Sequence, residues 1–106
     1  MAPTPMIVYV TVGSTEEAHT IARDVVERKL AACANILPGM TSIYRWEGAI
    51  QEDNETVLIL KSTADNIATL TEAIKETHTY DCPCIIALSI ESGNTDFLNW
   101  IVQETV

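Results

Sequence analysis

Two cysteines, Cys82 and Cys84, flank Pro83, and His78 lies a short distance upstream of them. Side chains two residues apart on an extended segment point to the same side, so both sulfurs could converge. Thiolate and imidazole are ligands that suit Cu(I) and Zn(II). We therefore predict His78, Cys82 and Cys84 as ligands of copper or another divalent metal ion. The spacing is not a standard zinc pattern, and cysteine is often a small buried hydrophobe, so a structural role is the alternative.

Three aromatic side chains form a second candidate site. Tyr44 and Trp46 are two residues apart in a predicted strand, and Tyr80 follows His78 closely. Because aromatic residues are enriched in protein interfaces, we predict that Tyr44, Trp46 and Tyr80 line a cleft between subunits. Ordinary packing is the alternative for these three residues. The remaining cysteine, Cys33, lies where a helix gives way to a strand, and we predict that it is a packed thiol.

The sequence carries no recognisable catalytic motif. No Ser-His-Asp arrangement can be identified, and neither a GxGxxG fingerprint nor a phosphate-cradling loop is present. The loop after the first predicted strand, Val12-Gly13-Ser14-Thr15, has no basic residue, which counts against hydrolysis of an anion. We predict that the protein acts by binding and is not an enzyme.

The charge balance is strongly acidic, with 15 Asp and Glu against 6 Lys and Arg and a formal charge of −9 over 106 residues. Such a charge repels phosphate backbones and anionic lipid surfaces, so we predict no nucleic acid and no membrane among the partners. The length suits one domain over residues 1–106, with residues 1–5 flexible. No export signal is evident at the N-terminus, and three cysteines suit free thiols in a reducing cytosol, so we predict a cytoplasmic location.

Hydrophobic periodicity and turn residues predict four strand regions and three helices. A capping box at Ser14 and Glu17 begins the first helix, which we end near Ala31 or Ala32. Pro38-Gly39 is predicted to bulge the second strand. A polar turn at residues 51–55 is predicted to join the second and third strands into a hairpin with long arms. The predicted strands cover residues 6–12, 33–50, 56–61 and 84–91, and the later helices cover residues 64–77 and 95–103.

This order predicts an α+β fold of the ferredoxin-like split βαβ type (βαββαβ), with a long central hairpin and a short C-terminal helix. Right-handed crossovers place the two long helices on one face of the sheet. The first strand is nevertheless apolar on both faces, where Ile7 and Tyr9 alternate with Val8 and Val10. A sheet with one wet face would show polar alternation. We therefore predict that another copy of the chain covers the second face, with a generously packed monomer as the alternative.

Several segments resemble the CutA family of divalent-cation tolerance proteins. The segments are KLAACANILPG at 29–39, SIYRWEG at 42–48, THTYDCP at 77–83 and GNTDFLNWI at 93–101. They occur in the family's order, and the resemblance extends from about residue 7 to residue 102. It implies a ferredoxin-like homotrimer whose long hairpin reaches between subunits. It also implies an association with tolerance to divalent metals and with copper binding.

At the copper-binding positions the chain departs from the family pattern. Members that bind copper carry a cysteine where Val10 stands and adjacent histidines where Thr77 and His78 stand, so His78 alone remains of that set. The resemblance implies a homotrimeric cytosolic protein that binds divalent or copper ions and takes part in metal-ion tolerance. The family also resembles the PII signalling proteins, which implies the alternative of a small-molecule sensor or signalling trimer without catalytic activity.

Overall fold

The computed structural model describes residues 3–105 and contains four strands and three α-helices. A short 3₁₀ turn, Ala64–Asn66, precedes the second helix. The strands are β1 (Pro5–Val12), β2 (Cys33–Trp46), β3 (Ala49–Thr63) and β4 (Ile85–Ser89). The helices are α1 (Thr15–Glu27), α2 (Ile67–Thr77) and α3 (Thr95–Glu104).

The strands form one sheet in the order β2-β3-β1-β4, and every neighbouring pair is antiparallel. β1 lies between β3 and β4 because each strand–helix–strand unit leaves a gap of one strand between its two strands, and a strand of the other unit fills that gap. This arrangement confirms the predicted α+β ferredoxin-like split βαβ fold. It leaves β2 and β4 as the two edges of the sheet.

The core lies between one face of the sheet and helices α1 and α2. Alternate residues of β1 point into it, and Val8, Val10 and Val12 are each almost completely buried. Helical spacing brings apolar residues of α1 and α2 to the same layer. The largest buried side chains of this core are Val8, Val10, Val12, Ile21, Val25, Leu58, Leu60, Leu70 and Ile74.

The opposite face of the sheet is apolar and largely uncovered in the single chain. Tyr9 of β1 is directly opposite Ile59 of β3 and Ile86 of β4, which places all three on this face. Ile86 is 51% exposed and Leu88 is 57% exposed. Both faces of the sheet are therefore apolar, as predicted, but within the single chain one face is buried and the other is exposed.

The first helix ends four or five residues earlier than the sequence predicts. It ends at Glu27, and Lys29 adopts a left-handed conformation with φ of 61°. The amide of Leu30 then donates to the carbonyl of Val25 (2.9 Å), and that of Lys29 donates to Val26 (3.0 Å). These two bonds form a Schellman motif, in which the left-handed residue is usually glycine. The sequence-based end near Ala31 or Ala32 was wrong because lysine gives no such signal.

The hairpin turn lies at Glu47-Gly48, not at residues 51–55 as predicted. Both residues have positive φ, 49° and 81°, and Trp46 pairs with Ala49 across them. This is the conformation of a two-residue type I′ turn, which suits the twist of a hairpin. Residues 51–55 belong to β3 instead. The predicted bulge at Pro38-Gly39 is confirmed, since the β2–β3 register shifts between Leu37 and Met40.

The hairpin extends well beyond the rest of the sheet. Pairing between β1 and β3 ends at Val12 and Thr56, whereas residues 49–55 of β3 continue to pair with β2. The molecule is correspondingly elongated, with extents of 46 × 25 × 23 Å. Long arms that leave the sheet expose both faces of a two-stranded ribbon.

The bounds of β4 and of the N-terminal segment also differ from the prediction. β4 covers residues 85–89, so Cys84 precedes the strand. In the N-terminal segment predicted to be flexible, residues 1 and 2 lie outside the described range, but Pro5 already belongs to β1 and the Thr4 carbonyl accepts a hydrogen bond from the Ala64 amide. Within residues 3–105, no helix has the length and apolar character that crossing a membrane requires.

Leu58 provides a test of the core assignment, because its side chain is completely buried in the central part of β3. We expect Leu58→Ala to lower the free energy of unfolding by about 2–5 kcal/mol, through lost burial and the cavity left behind. Val26→Ala is the matched control, since Val26 is 36% exposed on α1 and its truncation should change stability by about 0.5 kcal/mol or less. Urea unfolding of both variants at equal concentration measures the difference. Equal stability of the two would contradict this core.

Candidate functional site

The segment that follows α2 meets the turn between β1 and α1 and forms the most densely hydrogen-bonded polar region of the fold. His78 is at its centre, with a fully buried side chain. Its Nε2 lies 2.8 Å from the carbonyl oxygen of Thr11, and its Nδ1 accepts a hydrogen bond from the Tyr80 amide (3.1 Å). Because a carbonyl oxygen can only accept, Nε2 carries the proton in this arrangement. Both ring nitrogens are therefore engaged within the chain.

Glu17 joins the same segment to the start of α1. Its carboxylate accepts hydrogen bonds from the Thr79 amide (3.0 Å), the Thr79 hydroxyl (3.1 Å) and the Gly13 amide (3.3 Å). The predicted capping box is seen in part, because the Ser14 hydroxyl accepts from the Glu17 amide (3.1 Å). The Glu17 side chain reaches Gly13 and Thr79 instead of closing that box. One carboxylate thus fixes two segments that are distant in the sequence.

Tyr80 connects this group of hydrogen bonds to the hairpin. Its hydroxyl donates to Glu55 Oε2 at 2.7 Å, just beyond the point where β1 stops pairing with β3. Burial raises the pKa of the Tyr80 phenol far above its usual value, and the hydrogen bond to Glu55 and the charges of Glu55 and Glu17 add to this effect. Nearby on the hairpin, Tyr44 donates to Asp53, and this bond raises the pKa of Tyr44.

Two of the three predicted cleft aromatics, Tyr44 and Trp46, lie on the hairpin, and Tyr80 reaches it from the segment after α2. Asp53 and Glu55 are two residues apart on β3 and point to one side, which places Tyr44 and Tyr80 beside each other's acidic partners. Trp46, two residues beyond Tyr44, shares that side and lies next to the turn, 45% exposed. The role of Tyr44, Trp46 and Tyr80 in a cleft between subunits stays a prediction.

The predicted metal ligands are not assembled in the single chain. Cys82 is exposed and Cys84 is half-buried, and both lie in irregular chain before β4 begins at Ile85. No regular strand therefore holds these two cysteines, and their role as metal ligands stays a prediction. His78 is buried with both nitrogens occupied, as described above. Across the described part of the chain, no three or more His, Cys, Asp or Glu side chains come together in a group that could hold a metal ion.

Sequence reasoning missed the acidic members of this region. The sequence predicts Glu17 only as a capping residue and places Asp53 and Glu55 in a polar turn. The capping pattern was a visible signal for the position of Glu17 but not for its bond to Thr79, 62 residues away. Only the docking of the segment after α2 onto the β1–α1 turn brings these groups together.

The raised pKa of Tyr80 predicts a specific alkaline sensitivity. The folded chain holds the phenolic proton more tightly than the unfolded chain, whose tyrosines titrate near about pH 10. The native state then binds more protons than the unfolded state above that pH, so this contribution to stability is present below it and is lost as pH rises. We expect Tyr80→Phe to reduce the loss of stability between neutral and strongly alkaline pH, measured by urea unfolding at each pH.

Tyr9→Phe is the matched control, because the Tyr9 hydroxyl lies 3.5 Å from the Met40 sulfur and not beside a carboxylate. It should leave the alkaline slope close to that of the unsubstituted protein. A Tyr80→Phe variant with the same slope as the Tyr9→Phe variant would contradict the role of the Tyr80–Glu55 contact.

Comparison with known proteins identifies the family to which this chain belongs. Residues 6–104 match the family model described as CutA1 divalent ion tolerance protein. The divalent-cation tolerance protein CutA of Thermus thermophilus is 48% identical over 99 residues, which cover 93% of this chain and 96% of that protein. The chloroplastic protein CutA 1 of rice is 44% identical over 94% of this chain, although the match spans 56% of that longer protein.

Solved structures agree with the sequence comparison. The Thermus thermophilus divalent cation tolerance protein superposes with a TM-score of 0.94 at 46% identity, covering 96% of this chain and 99% of that one. CutA1 from rice superposes with a TM-score of 0.95 at 42% identity, covering 99% and 96% of the two chains. The match extends through the hairpin, the segment after α2 and the last helix, and the chain therefore belongs to the CutA1 divalent ion tolerance family.

Proposed function

We propose that this protein is a cytoplasmic homotrimer that binds copper or other divalent ions and supports tolerance to them. The observation that carries the proposal is the family match over residues 6–104, together with relatives whose names state divalent-cation tolerance. Its mechanism is ligation and not turnover, in keeping with the lack of a catalytic motif in the sequence. The cytoplasmic location is supported by the three free cysteines, which suit a reducing compartment.

The exposed face of the sheet supports self-assembly. Leu37, Ile86 and Leu88 are each at least half exposed there, an unusual concentration of apolar surface. The edges formed by β2 and β4 leave backbone donors and acceptors available to another strand. The hairpin beyond Thr56 is long enough to leave its own sheet and reach a neighbouring chain. A second and third copy would cover the apolar face and pair the open edges.

Sedimentation tests this assembly. We expect the protein to sediment at the mass of three chains at micromolar concentration. The double substitution Ile86→Glu and Leu88→Glu places two carboxylates on the apolar face and should shift the population to smaller species, because a buried unpaired charge costs several kcal/mol. Thr69→Glu, at an exposed position on α2, is the control and should leave the mass unchanged. A stable monomer of the unsubstituted protein would overturn the proposed trimer.

Metal binding in this proposal rests on Cys82 and Cys84. Two sulfurs fall short of the four ligands of a structural zinc site, and His78 is held by Thr11 and Tyr80. One chain alone therefore has too few ligands to hold a permanently bound metal, and the ion is cargo in this proposal. Soft thiolate ligands favour Cu(I), and copies of the pair on neighbouring subunits would supply further sulfurs. The formal charge of −9 also raises the local concentration of cations.

Equilibrium titration with Cu(I), Zn(II) and Co(II) under reducing conditions tests the ligand assignment. We expect the double substitution Cys82→Ser and Cys84→Ser to weaken Cu(I) binding by about tenfold or more, equivalent to about 1.4 kcal/mol. Cys33→Ser is the matched control, since Cys33 pairs with Lys61 on β2–β3 and should leave the affinity unchanged. Equal Cu(I) affinity in the double variant and the control would remove Cys82 and Cys84 from the proposed site.

A second candidate function is a PII-like sensor that binds a small molecule between subunits. It is favoured by the exposed side chains of Tyr44, Asp53 and Tyr80 and the half-buried Glu55, which lie together along the hairpin. A thermal-shift screen separates the two functions, because a specific ligand raises the melting temperature by mass action. Stabilisation by a nucleotide or metabolite, in the absence of stabilisation by metal ions, would favour the sensor.

A further inference from the structure

The segment Asp81–Cys84 crosses from the hydrogen-bonded region after α2 to the start of β4, and it contains two of the three free cysteines. We propose that Cys82 and Cys84 form a reversible dithiol–disulfide pair that low-molecular-weight disulfides oxidise. The proposal goes beyond metal tolerance and rests neither on the trimer nor on metal binding. It follows from the short distance between the two cysteines, from the way the fold holds both ends of their segment, and from the exposure of Cys82.

The short spacing along the chain keeps Cys82 and Cys84 near the distance that a disulfide can bridge. Residues two apart in the chain have Cα atoms separated by at most about 7 Å, even when fully extended. Disulfides join Cα atoms that are about 4.4–6.8 Å apart, so moderate relaxation of the segment brings Cys82 and Cys84 into this range. Between them, Pro83 has no backbone N–H and a restricted φ, which limits the number of conformations that must be searched.

The fold anchors this segment at both ends and leaves its middle free. On the N-terminal side, Tyr80 is held through its amide by His78 and through its hydroxyl by Glu55. On the C-terminal side, Ile85 pairs with Val10 in the sheet. Residues 82–84 lie outside the β ladder, so closing the ring between the two sulfurs breaks no ladder hydrogen bond.

Cys33 cannot replace either member of the pair within the chain. It lies on β2, opposite Lys61 of β3, whereas Cys84 leads into β4 at the other edge of the sheet. Three strand spacings of about 4.7–4.9 Å separate these edges by about 14 Å. That is roughly twice the distance that a disulfide can bridge.

The reaction is a thiol–disulfide exchange in two steps. Cys82 is the exposed thiol, and its thiolate attacks one sulfur of a small disulfide, forming a mixed disulfide and releasing one thiolate. The half-buried Cys84 thiolate then attacks the Cys82 sulfur and displaces the second thiolate. The protein loses two protons and two electrons, and the small disulfide gains them to become two thiols. Excess small thiol reverses both steps.

Oxidation removes both sulfurs as metal ligands, because the thiolate is the form that binds a metal. The pair thus has two mutually exclusive chemical states, of which only the reduced state can ligate a soft cation. The redox chemistry is nonetheless measurable on protein that contains no metal.

The full chain, free of metal, is incubated in mixtures of reduced and oxidised glutathione, quenched with an alkylating reagent and examined by peptide mass mapping. As the oxidised fraction rises, we expect the peptide that contains Cys82 and Cys84 to lose the mass of two hydrogens and to escape alkylation. The peptide that contains Cys33 should remain alkylated. Addition of a small dithiol should restore alkylation at both positions.

Single substitutions make the assignment specific. Cys84→Ser should stop at the mixed disulfide of Cys82 with glutathione, and Cys33→Ser, the matched control, should form the internal disulfide like the unsubstituted protein. The proposal is overturned if the unsubstituted protein stops at mixed disulfides, if it forms disulfides between chains, or if all three thiols stay reduced. Metal titration of the reduced protein is a separate readout, so loss of metal binding and loss of the redox pair can be distinguished.

Discussion

The structure depends on one constraint in the central strand, which is apolar on both faces while the chain has long helices for only one of them. Val8, Val10 and Val12 of β1 are buried beneath α1 and α2. On the other side Tyr9 lies between Ile59 and Ile86, and the neighbouring Leu88 is 57% exposed. Apolar surface of this kind gains about 25 cal/mol for each Å² removed from water. A free-energy gain is therefore available to any arrangement of copies that covers it, and the open edges of β2 and β4 lie beside it.

The projecting hairpin and the segment after α2 are connected by the same polar region. Tyr80 bonds to Glu55 where β1 stops pairing with β3, and Glu17 bonds to Thr79 and to the β1–α1 turn. His78 completes the region from within, with its ring shared between Thr11 and the Tyr80 amide. Among the described residues that are not exposed, no buried side-chain nitrogen or oxygen lacks a hydrogen-bond partner. Such complete pairing is what allows a buried histidine beside a partly buried carboxylate to be tolerated in a small fold.

In this region the histidine has a structural role, whereas the two cysteines are available for chemistry. A histidine between a helix and two cysteines suggests a ligand, but its two nitrogens serve the fold. Cys82 and Cys84 lie outside any helix or strand, in the short segment between the hydrogen-bonded Tyr80 and the first residue of β4, which pairs with β1. Family membership identifies a divalent ion tolerance protein over residues 6–104. The chemistry proposed for this chain comes from its own two thiols, which are available to a soft cation when reduced and unavailable when joined.

The sequence by itself determined the order of elements, the bulge at Pro38-Gly39 and the apolar character of both sheet faces. These features follow from local signals, namely the period of apolar residues and the conformational limits of proline and glycine. The end of α1 and the hairpin turn were not predicted because Lys29 and Glu47 adopt left-handed conformations, which lysine and glutamate rarely do. The contacts of Glu17 with Thr79, Glu55 with Tyr80 and His78 with Thr11 were decided only by the tertiary structure. They join residues 25–67 positions apart, and only the packing of α1, α2 and the sheet brings such groups within hydrogen-bonding distance.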